Sequence, residues 1–251
     1  MIKKFLYSSN SFNIYENLAL EEILIEHLQS LKKENGESVY GLFLWQSDNT
    51  IVIGRNQDIY KECDFDVVKQ KNITIARRKT GGGAVYQDKG NLNFTFIATN
   101  DIYDKDLNFQ IIIKALEKLG IKAELSGRND IIVGDKKFSG NAFRKTRNVS
   151  LHHGTLLVST NIELADKCLT PSKYKLKRHG VESVKSRIVN LSDLINLDTK
   201  TLKDLISQTF LEHFVKYDDI KIEVDKLKSE TITSQYSDTK WIYEKLNSEK
   251  D

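Results

Sequence analysis

The sequence has little of several features that would point at once to a class of protein. Its only cysteines, Cys63 and Cys168, suggest neither a disulfide framework nor a CxxC metal site. No apolar run approaches the roughly 20 residues that cross a bilayer. The N-terminal segment MIKKFLYSSN lacks the small-residue cleavage site of a signal peptide. We therefore expect a cytoplasmic protein that does not associate with a membrane.

The chain also lacks a strong excess of either charge. It has 38 Lys and Arg against 35 Asp and Glu, a formal net charge of +3. This balance argues against a general nucleic-acid binder, since such proteins neutralise many phosphates. Hydrophobic residues make up 39% of the 251 residues, which is sufficient for a substantial core. The length fits one large domain or two small ones.

The hydrophobic pattern predicts helices and strands in irregular alternation. Apolar residues at helical spacing predict helices over 17–33, 107–119 and 201–214. Because no regular βαβ order is visible, we expect one α+β domain with mixed or antiparallel sheets flanked by helices. The predicted strands cover residues 40–45, 50–54, 72–78, 92–98 and 152–160, and residues 130–140 form a predicted hairpin around Gly134 and Asp135.

Two smaller features refine this organisation. In the strand over 92–98, Leu92, Phe94 and Phe96 fall on one side and Asn93 and Thr95 on the other. No repeat or linker divides the chain. We expect one domain over 1–225 and a polar, lysine-rich tail over 226–251, with Trp241 and Tyr243 as its only obvious anchors.

Three consecutive glycines give the first chemical signal. In RRKTGGGAVY (77–86) the bare backbone lets a ligand approach, and free N–H groups can bind phosphate oxygens. The preceding arginines add forked donors for phosphate or carboxylate. A GGG run alone is more often a flexible surface turn beside a basic strand. The segment is neither a P-loop nor a Rossmann fingerprint, because Tyr86 stands where the third glycine of GxGxxG belongs.

Two pairs of neighbouring residues give further signals. On a strand, Lys136 and Lys137 face opposite sides, so one can enter a site while the other is solvated. A buried ammonium needs an anionic partner such as phosphate, although a KK pair after a turn is more often fully solvated. His152 and His153 also face opposite sides, which makes them a poor metal-binding pair. A single inward histidine is more often a hydrogen-bonded core residue than a ligand.

Five segments of the chain resemble motifs of the lipoate–protein ligase A family, within the biotin/lipoate ligase superfamily, and they occur in the same order as in that family. The resemblance runs from FNIYENLALEE (12–22) to about residue 215. It implies the biotin/lipoyl protein ligase catalytic-domain fold, with the ligand in a bent pocket against the sheet. The segments are RRKTGGGAVYQDKGNLNFTF (77–96), SGRNDIIV (126–133), GDKKFSGNAFR (134–144), HHGTLL (152–157) and VKSRIVNL (184–191).

The resemblance implies a two-step reaction. The lipoate carboxylate attacks the α-phosphate of ATP, which gives lipoyl-AMP and pyrophosphate. The ε-amine of an acceptor lysine then attacks the mixed anhydride and releases AMP. The implied acceptors are apo lipoyl domains of 2-oxoacid dehydrogenase complexes and the H protein of glycine cleavage. Mg²⁺ would arrive mainly with ATP, held by phosphates and one or two carboxylates.

The resemblance also assigns roles to individual positions. Lys137 matches the family's central lysine, a cation suited to stabilise charge on the α-phosphate and then to polarise the lipoyl carbonyl. Trp45 belongs to the mouth of the lipoyl tunnel or to the core, with the core favoured. The other implied positions are Arg78, Thr80, Gly81, Gly82, Gly83, Ala84, Val85 and Tyr86 in the nucleotide- and lipoate-binding loop, Asn91 and Asp130 as adenylate or magnesium contacts, and Ser139, Gly140, Ala142, His153, Gly154 and Thr155 along the lipoyl tunnel.

The sequence departs from the family pattern in three ways. Thr80 stands where a serine is usual, and Gln87 stands where a histidine is common. Full-size bacterial members continue into a C-terminal accessory domain, which we expect to be absent here. A separate subunit could supply it, or the chain could act only as a transferase from preformed lipoyl-AMP. Two alternatives stay open: an acyltransferase with Cys168 as its candidate nucleophile, and a binding subunit without catalysis.

Overall fold

The computed structural model of the chain describes residues 2–127, 129–169 and 188–244. In these ranges strands and helices alternate without a regular βαβ order, which confirms the predicted α+β class. The strands are β1 (Ile2–Ser8), β2 (Ser38–Trp45), β3 (Thr50–Ile53), β4 (Thr74–Arg77), β5 (Val85–Gln87), β6 (Asn91–Thr99), β7 (Glu124–Ser126), β8 (Asp130–Val133), β9 (Lys136–Lys145), β10 (Val149–Leu157) and β11 (Asp218–Asp219).

Eight of these strands form one mixed sheet in the order β11-β1-β2-β6-β10-β9-β8-β7. The β1 strand pairs in parallel with β11 and β2. Every pairing from β2 through β6, β10, β9 and β8 to β7 is antiparallel. The predicted hairpin is confirmed as β8 and β9, joined at Gly134 with φ +61°. This left-handed conformation suits glycine because it has no side chain.

The other three strands form a small sheet in the order β4-β3-β5. The predicted strands over 40–45 and 50–54 therefore exist but belong to different sheets. The segment between them contains Asn49 at φ 44°, a left-handed conformation that asparagine tolerates better than most residues. The small sheet carries the glycine-rich segment between β4 and β5, so it sets the position of that segment against the large sheet.

The described helices agree with the three predicted ones and add shorter ones. The N-terminal helix begins where the Asn13 side chain accepts hydrogen bonds from the backbone N–H groups of Tyr15 and Glu16, and it ends at Gly36. None of the described helices is long and apolar enough to cross a membrane. The helices are α1 (Ile14–Asn35), α2 (Ile59–Glu62), α3 (Phe65–Gln70), α4 (Lys105–Glu117), α5 (Ile162–Cys168), α6 (Thr199–His213), α7 (Lys226–Ser237) and α8 (Thr239–Tyr243).

Each face of the large sheet packs against helices. On one face Leu92, Phe94 and Phe96 pack in a core cluster with residues of α4 and α6. On the other face Phe43 and Trp45 pack with residues of α1. The predicted alternation of β6 is confirmed, since its apolar side lies in the first cluster and its polar side faces the α1 side. The polar side chains of β6 therefore lie beside the site described below.

The C-terminal segment is more structured than its composition suggests. Helix α7 packs along α1, and its buried residues are Ile232 and Tyr236. Helix α8 buries Ile242. Trp241 does act as an anchor, since its Nε1 donates to the carbonyl of Arg77 at 2.9 Å. Tyr243, the other expected anchor, is 38% exposed.

Candidate functional site

A cavity of about 260 Å³ lies between the large sheet, the glycine-rich segment and the β8–β9 hairpin. Segments far apart in sequence converge on it. Twelve of the predicted site residues line it: Arg78, Gly82, Gly83, Ala84, Val85, Asp130, Lys137, Gly140, Ala142, His153, Gly154 and Thr155. The glycine turn and Lys137 thus border the same space, as the predicted chemistry requires.

A second cavity of about 190 Å³ adjoins the first and shares Ala84, Val85, Lys137, Gly140 and Thr155 with it. Its walls are mainly apolar. Two further predicted residues, Tyr86 and Ser139, line this second cavity. The residues found only in this second cavity are Tyr86, Phe138, Ser139, Leu157, Thr160, Ile162, Ala165, Leu169 and Ile188.

Lys137 stands where the two cavities adjoin. Its Nζ is 2.7 Å from Oδ1 of Asp130, on the facing strand of the hairpin. Gly140 leaves room for this ammonium, because a Cβ there would lie 3.1 Å from Nζ. Lys136 points away and is exposed. One lysine of the pair therefore borders the cavities and the other is exposed to solvent, as the alternation of a strand predicts.

The glycine turn takes its shape from Arg78. Gly82 has φ +96°, and a Cβ at this position would lie 2.8 Å from Nη2 of Arg78. Nη2 donates to the carbonyl oxygens of Gly81 at 2.7 Å and Gly83 at 2.8 Å, and Nη1 donates to the carbonyl of Val52 at 3.0 Å. Most donors of Arg78 thus hold the backbone of the turn. Burial lowers the pKa of this guanidinium to about 10, opposed by the charge of Glu21.

Arg77, the neighbouring arginine, faces the other side of β4 and does not line either cavity. It is fully buried, and its guanidinium donates to the carbonyl oxygens of Gln57 at 2.7 Å and Ile242 at 2.7 Å. It also donates to the carbonyls of Gly54 and Arg55. Arg77 therefore ties the C-terminal helix to the loop after β3.

A chain of buried hydrogen bonds lies behind the cavity. The Nδ1 of His153 is 2.9 Å from Oε1 of Glu21, and its Nε2 is 2.8 Å from Oγ1 of Thr80. Thr80 Oγ1 also accepts from Nε of Arg78 at 3.0 Å. Glu21 accepts a further bond from Thr95 Oγ1 at 2.6 Å. The hydroxyl that Thr80 shares with serine is thus used to connect the α1 carboxylate with the arginine that shapes the turn.

Two amides face the cavity from β5 and β6. Nε2 of Gln87 donates to Oδ1 of Asn93 at 3.0 Å, and Nδ2 of Asn93 donates back to Oε1 of Gln87 at 3.3 Å. Ser47 Oγ donates to the same Gln87 oxygen at 2.6 Å. Nδ2 of Asn91 donates to Oδ1 of Asn93 at 3.0 Å. Both amide oxygens therefore have two donors each.

The histidine pair is divided between the cavity and the core, as predicted. His153 lines the cavity. His152 is fully buried among phenylalanine rings, including Phe109 and Phe143. Its Nε2 is 2.9 Å from Oδ1 of Asn141, whose Nδ2 donates to the carbonyl of Asn129 at 3.1 Å. Burial holds the pKa of His152 well below 6.5, so its ring is neutral.

Three predicted residues do not border either cavity. Thr80 is buried behind the first cavity. Gly81 lies on the exposed side of the turn. Asn91 is fully buried and holds Asn93 from behind. Thr80 and Gly81 instead accept hydrogen bonds from the Arg78 guanidinium, which does line the cavity. Arg128 and residues 184–187 of the resembling segments lie outside the described residues.

Several cavity residues were not among the predicted ones. Trp45, for which the core was favoured, is 3% exposed, and yet it lines the cavity. The polar positions in the alternating strand over 92–98 were the available signal for Asn93. The other additional lining residues are Leu18, Val52, Gln87, Asn129 and Asn141.

Neither cysteine has the character of a nucleophile. Both thiols are buried. Burial raises the pKa of Cys63 to about 12 and that of Cys168 to about 11. Since the thiolate is the reactive form, these thiols are poorly activated at neutral pH.

The model of the lipoyl protein ligase A/B catalytic domain family matches residues 13–211. Because this match covers most of the sequence, the chain belongs to the lipoyl protein ligase A/B catalytic domain family. The resemblance drawn from the five segments is thereby confirmed.

Curated relatives agree with this membership. A lipoate-protein ligase A of Psychrobacter cryohalolentis is 46% identical over 203 residues, which are 80% of this chain and 58% of the relative. A lipoate-protein ligase A of Bdellovibrio bacteriovorus is 38% identical in an alignment of 259 residues, covering 97% of this chain and 73% of the relative. The chain thus spans a little over half of the first relative and about three quarters of the second.

Several solved structures of lipoate ligases have the same fold, and one of them is described as bi-partite. P. falciparum LipL1 in complex with lipoate has a TM-score of 0.80 and 33% identity, covering 99% of this chain and 76% of that one. A bi-partite lipoate protein ligase of Thermoplasma acidophilum has a TM-score of 0.80 and 25% identity, covering 99% of each chain. A lipoate-protein ligase A bound with ATP has a TM-score of 0.75 and 25% identity, covering 98% of each chain.

Proposed function

We propose that this protein is a lipoate–protein ligase that activates lipoate with ATP and transfers the lipoyl group to a lysine of an acceptor protein. The observation that carries the proposal is the position of Lys137, a cation bordering two adjoining cavities opposite the glycine turn. The names of the relatives, and the lipoate- and ATP-bound neighbours, support it.

In this proposal the two cavities hold the two halves of lipoyl-AMP. The first takes the acyl chain, because Leu18, Trp45 and Val52 offer it apolar contacts. The second takes the adenine ring, because its walls are mainly apolar and include Tyr86 and Ile162. The carboxylate and the α-phosphate then meet beside Lys137. The backbone N–H groups of the glycine turn are placed to bind phosphate oxygens.

Lys137 serves both steps. A lipoate carboxylate oxygen bonds to the α-phosphorus while the bond from phosphorus to the pyrophosphate oxygen breaks. An acceptor amine then bonds to the lipoyl carbon, the bond to the AMP oxygen breaks, and the amine proton passes to solvent. In each step negative charge grows beside the same ammonium, which a fixed cation stabilises more strongly than water does.

Asp130 completes the charge arrangement. It is the only Asp or Glu among the described residues that line either cavity. The described residues contain no cluster of three or more His, Cys, Asp or Glu that could hold a metal ion. A single lining carboxylate fits Mg²⁺ that enters bound to ATP, because such an ion needs only one or two protein carboxylates besides the phosphates. Mg²⁺ would neutralise phosphate charge there, with Asp130 as its protein ligand.

The proposed acceptors are apo lipoyl domains or a glycine cleavage H protein. The bi-partite Thermoplasma ligase, described with its E2 lipoyl domain, supports a lipoyl domain as the acceptor. Because that ligase is bi-partite, it also supports a second subunit as a partner of this chain. We propose that such a subunit takes part in the adenylation step. Transfer from preformed lipoyl-AMP needs no adenylation, so the two steps can be tested separately.

The experiment supplies the pure chain with an apo H protein or apo lipoyl domain, and the acceptor is weighed by mass spectrometry. One reaction contains lipoate, ATP and Mg²⁺, and the other contains preformed lipoyl-AMP. We expect lipoylation of the acceptor at least in the second reaction. Tight acceptor binding without lipoylation in either reaction would overturn the ligase proposal in favour of a binding subunit.

A further inference from the structure

A row of paired residues crosses the floor of the first cavity. Asn93 on β6 pairs with Trp45 on β2 and with Thr155 on β10. Directly paired residues project to the same face of a sheet, so these three side chains enter the cavity together. Thr155 also borders the second cavity, whereas Asn93 and Trp45 border only the first. The row therefore leads away from Lys137 toward Trp45.

The spacing of this row matches the length of the proposed acid. Neighbouring strands lie about 4.8 Å apart, so Trp45 is roughly 10 Å from Thr155 across β6. An extended lipoate or octanoate with its carboxylate at Lys137 has a similar length. Its far end would therefore lie over Asn93 and Trp45.

That end of the cavity is not purely apolar, because the amides of Gln87 and Asn93 face it. Both amide oxygens are already occupied by two donors each. Each amide nitrogen has two hydrogens and uses one in the reciprocal pair. The second N–H of each has no partner among the described residues. Both residues are at most 3% exposed. A bound acid would thus meet N–H donors there.

We propose that Gln87 and Asn93 make this site select acids whose far end carries a hydrogen-bond acceptor, such as the ring sulfurs of lipoate, over acids with a saturated alkyl end. The inference rests on the proposed function, since it concerns the acyl half of the same site. An alkyl end would exclude water from the two N–H groups and leave them unpaired, which is unfavourable. A ring sulfur can accept from them, although weakly.

The test uses three preformed acyl-adenylates: lipoyl-AMP, octanoyl-AMP and 5-cyclopentylpentanoyl-AMP. The last carries a carbocyclic ring of nearly the shape of the dithiolane but without sulfur. Transfer to one apo acceptor is followed by mass spectrometry with pairs of donors in competition. We expect kcat/KM for lipoyl-AMP to exceed that for the carbocyclic donor by about two- to fivefold, since one weak acceptor contact is at stake.

Two variants examine the amides directly. Asn93→Leu and Gln87→Met keep the side-chain size and remove the N–H donors. We expect each variant to bring the ratio of kcat/KM for lipoyl-AMP to that for a sulfur-free donor closer to one. The main cause should be a higher kcat/KM for the octanoyl and carbocyclic donors. Lys89→Ala, an exposed residue between β5 and β6, is the matched control and should keep the wild-type ratio.

Three outcomes separate the possibilities. Equal use of lipoyl-AMP and the carbocyclic donor by the wild-type protein would overturn the inference without any variant. An unchanged ratio in both amide variants, with circular dichroism spectra like the wild type, would also overturn it. Failure to transfer from all three donors would instead count against the proposed function.

Discussion

Asp130 and Lys137 face each other across the β8–β9 hairpin, with Oδ1 and Nζ 2.7 Å apart. Their side chains are 42% and 38% exposed, so the pair contributes little to stability. The contact instead keeps the ammonium directed toward the place where the cavities adjoin. An arriving phosphate can replace the carboxylate as the partner of Lys137 at little cost. We therefore expect this pair to matter for activity much more than for folding.

Lys137→Ala should abolish both adenylation and transfer, with a loss of at least about 10²-fold in kcat, because the charge of the transition state then has no fixed cation. Pyrophosphate exchange and acceptor mass measure the two steps, and the melting temperature should stay close to that of the wild type. Lys136→Ala is the control, since this neighbour is exposed and should turn over normally. Near-normal turnover of Lys137→Ala would contradict the assigned role.

Gly82→Val should weaken binding of lipoyl-AMP by roughly tenfold or more, because a side chain at φ +96° is strained and would collide with Arg78. Gly81→Ala is the control. A Cβ at position 81 would meet nothing within 4 Å, and Gly81 does not have a positive φ. Titration calorimetry with lipoyl-AMP compares the two variants. Equal affinities would mean that the turn does not need its observed shape.

Arg77→Met should lower stability by about 3 kcal/mol, because several buried carbonyl oxygens lose their donor at once. This corresponds to a fall of roughly 6–12 °C in Tm for a chain of this size. Arg77→Lys should not restore the loss, since an ammonium cannot reach the same set of acceptors. Arg55→Ala changes an exposed side chain and keeps the backbone contact, so its Tm should stay near the wild-type value.

His152 should make the protein less stable in mild acid. Its folded-state pKa lies well below the ordinary 6.5. When the pH falls below about 6.5, the unfolded chain therefore binds a proton at His152 and the folded protein does not. The free energy of unfolding should thus fall as pH drops from 7 to 5.5, by up to about 1.4 kcal/mol per pH unit.

The matched variant for this pH effect is His152→Phe, which adds a ring to the surrounding phenylalanines and cannot titrate. Urea unfolding at several pH values should give it a flatter profile than the wild type. His213 also has a lowered pKa, but its contribution is the same in both proteins and cancels in the comparison. Parallel profiles would show that the folded protein binds a proton at His152 as readily as the unfolded chain does.

Cys168→Ala should keep most lipoyl transfer from lipoyl-AMP. The thiol is buried and burial raises its pKa to about 11, so it behaves as a small apolar side chain. Acceptor mass and alkylation of the folded protein are the two measurements. A complete loss of activity in a folded Cys168→Ala variant would favour a transferase with a cysteine nucleophile.

Much of the fold could be predicted where one face of an element is buried. The stripe of leucines and isoleucines predicts α1, and the alternation over 92–98 predicts both faces of β6. The division of 40–45 and 50–54 between two sheets could not be predicted, because strand pairing depends on distant partners. Helix α7 could not be predicted either, because it buries only Ile232 and Tyr236 along a polar sequence.

The site was predictable where a residue type has few uses. Bare glycines and a lysine after a tight turn point to a charged ligand, and both line the cavity. The different environments of Arg77 and Arg78 could not be predicted. Alternation states that two neighbours face opposite sides of a strand, but not which side holds the ligand. The amide pair of Gln87 and Asn93 could not be predicted either, because β5 and β6 belong to different sheets and their contact depends on how the small sheet packs against the large one.

The two adjacent arginines at the end of β4 have a consequence for how the small sheet assembles. Each guanidinium has its own set of backbone oxygens, on opposite sides of the chain. A slip of one residue between β3 and β4 would turn each arginine toward the other's surroundings and bury two cations without acceptors. A shifted pairing of β3 and β4 is therefore unfavourable for both arginines. The two side chains thus favour the observed register of the small sheet before any ligand binds.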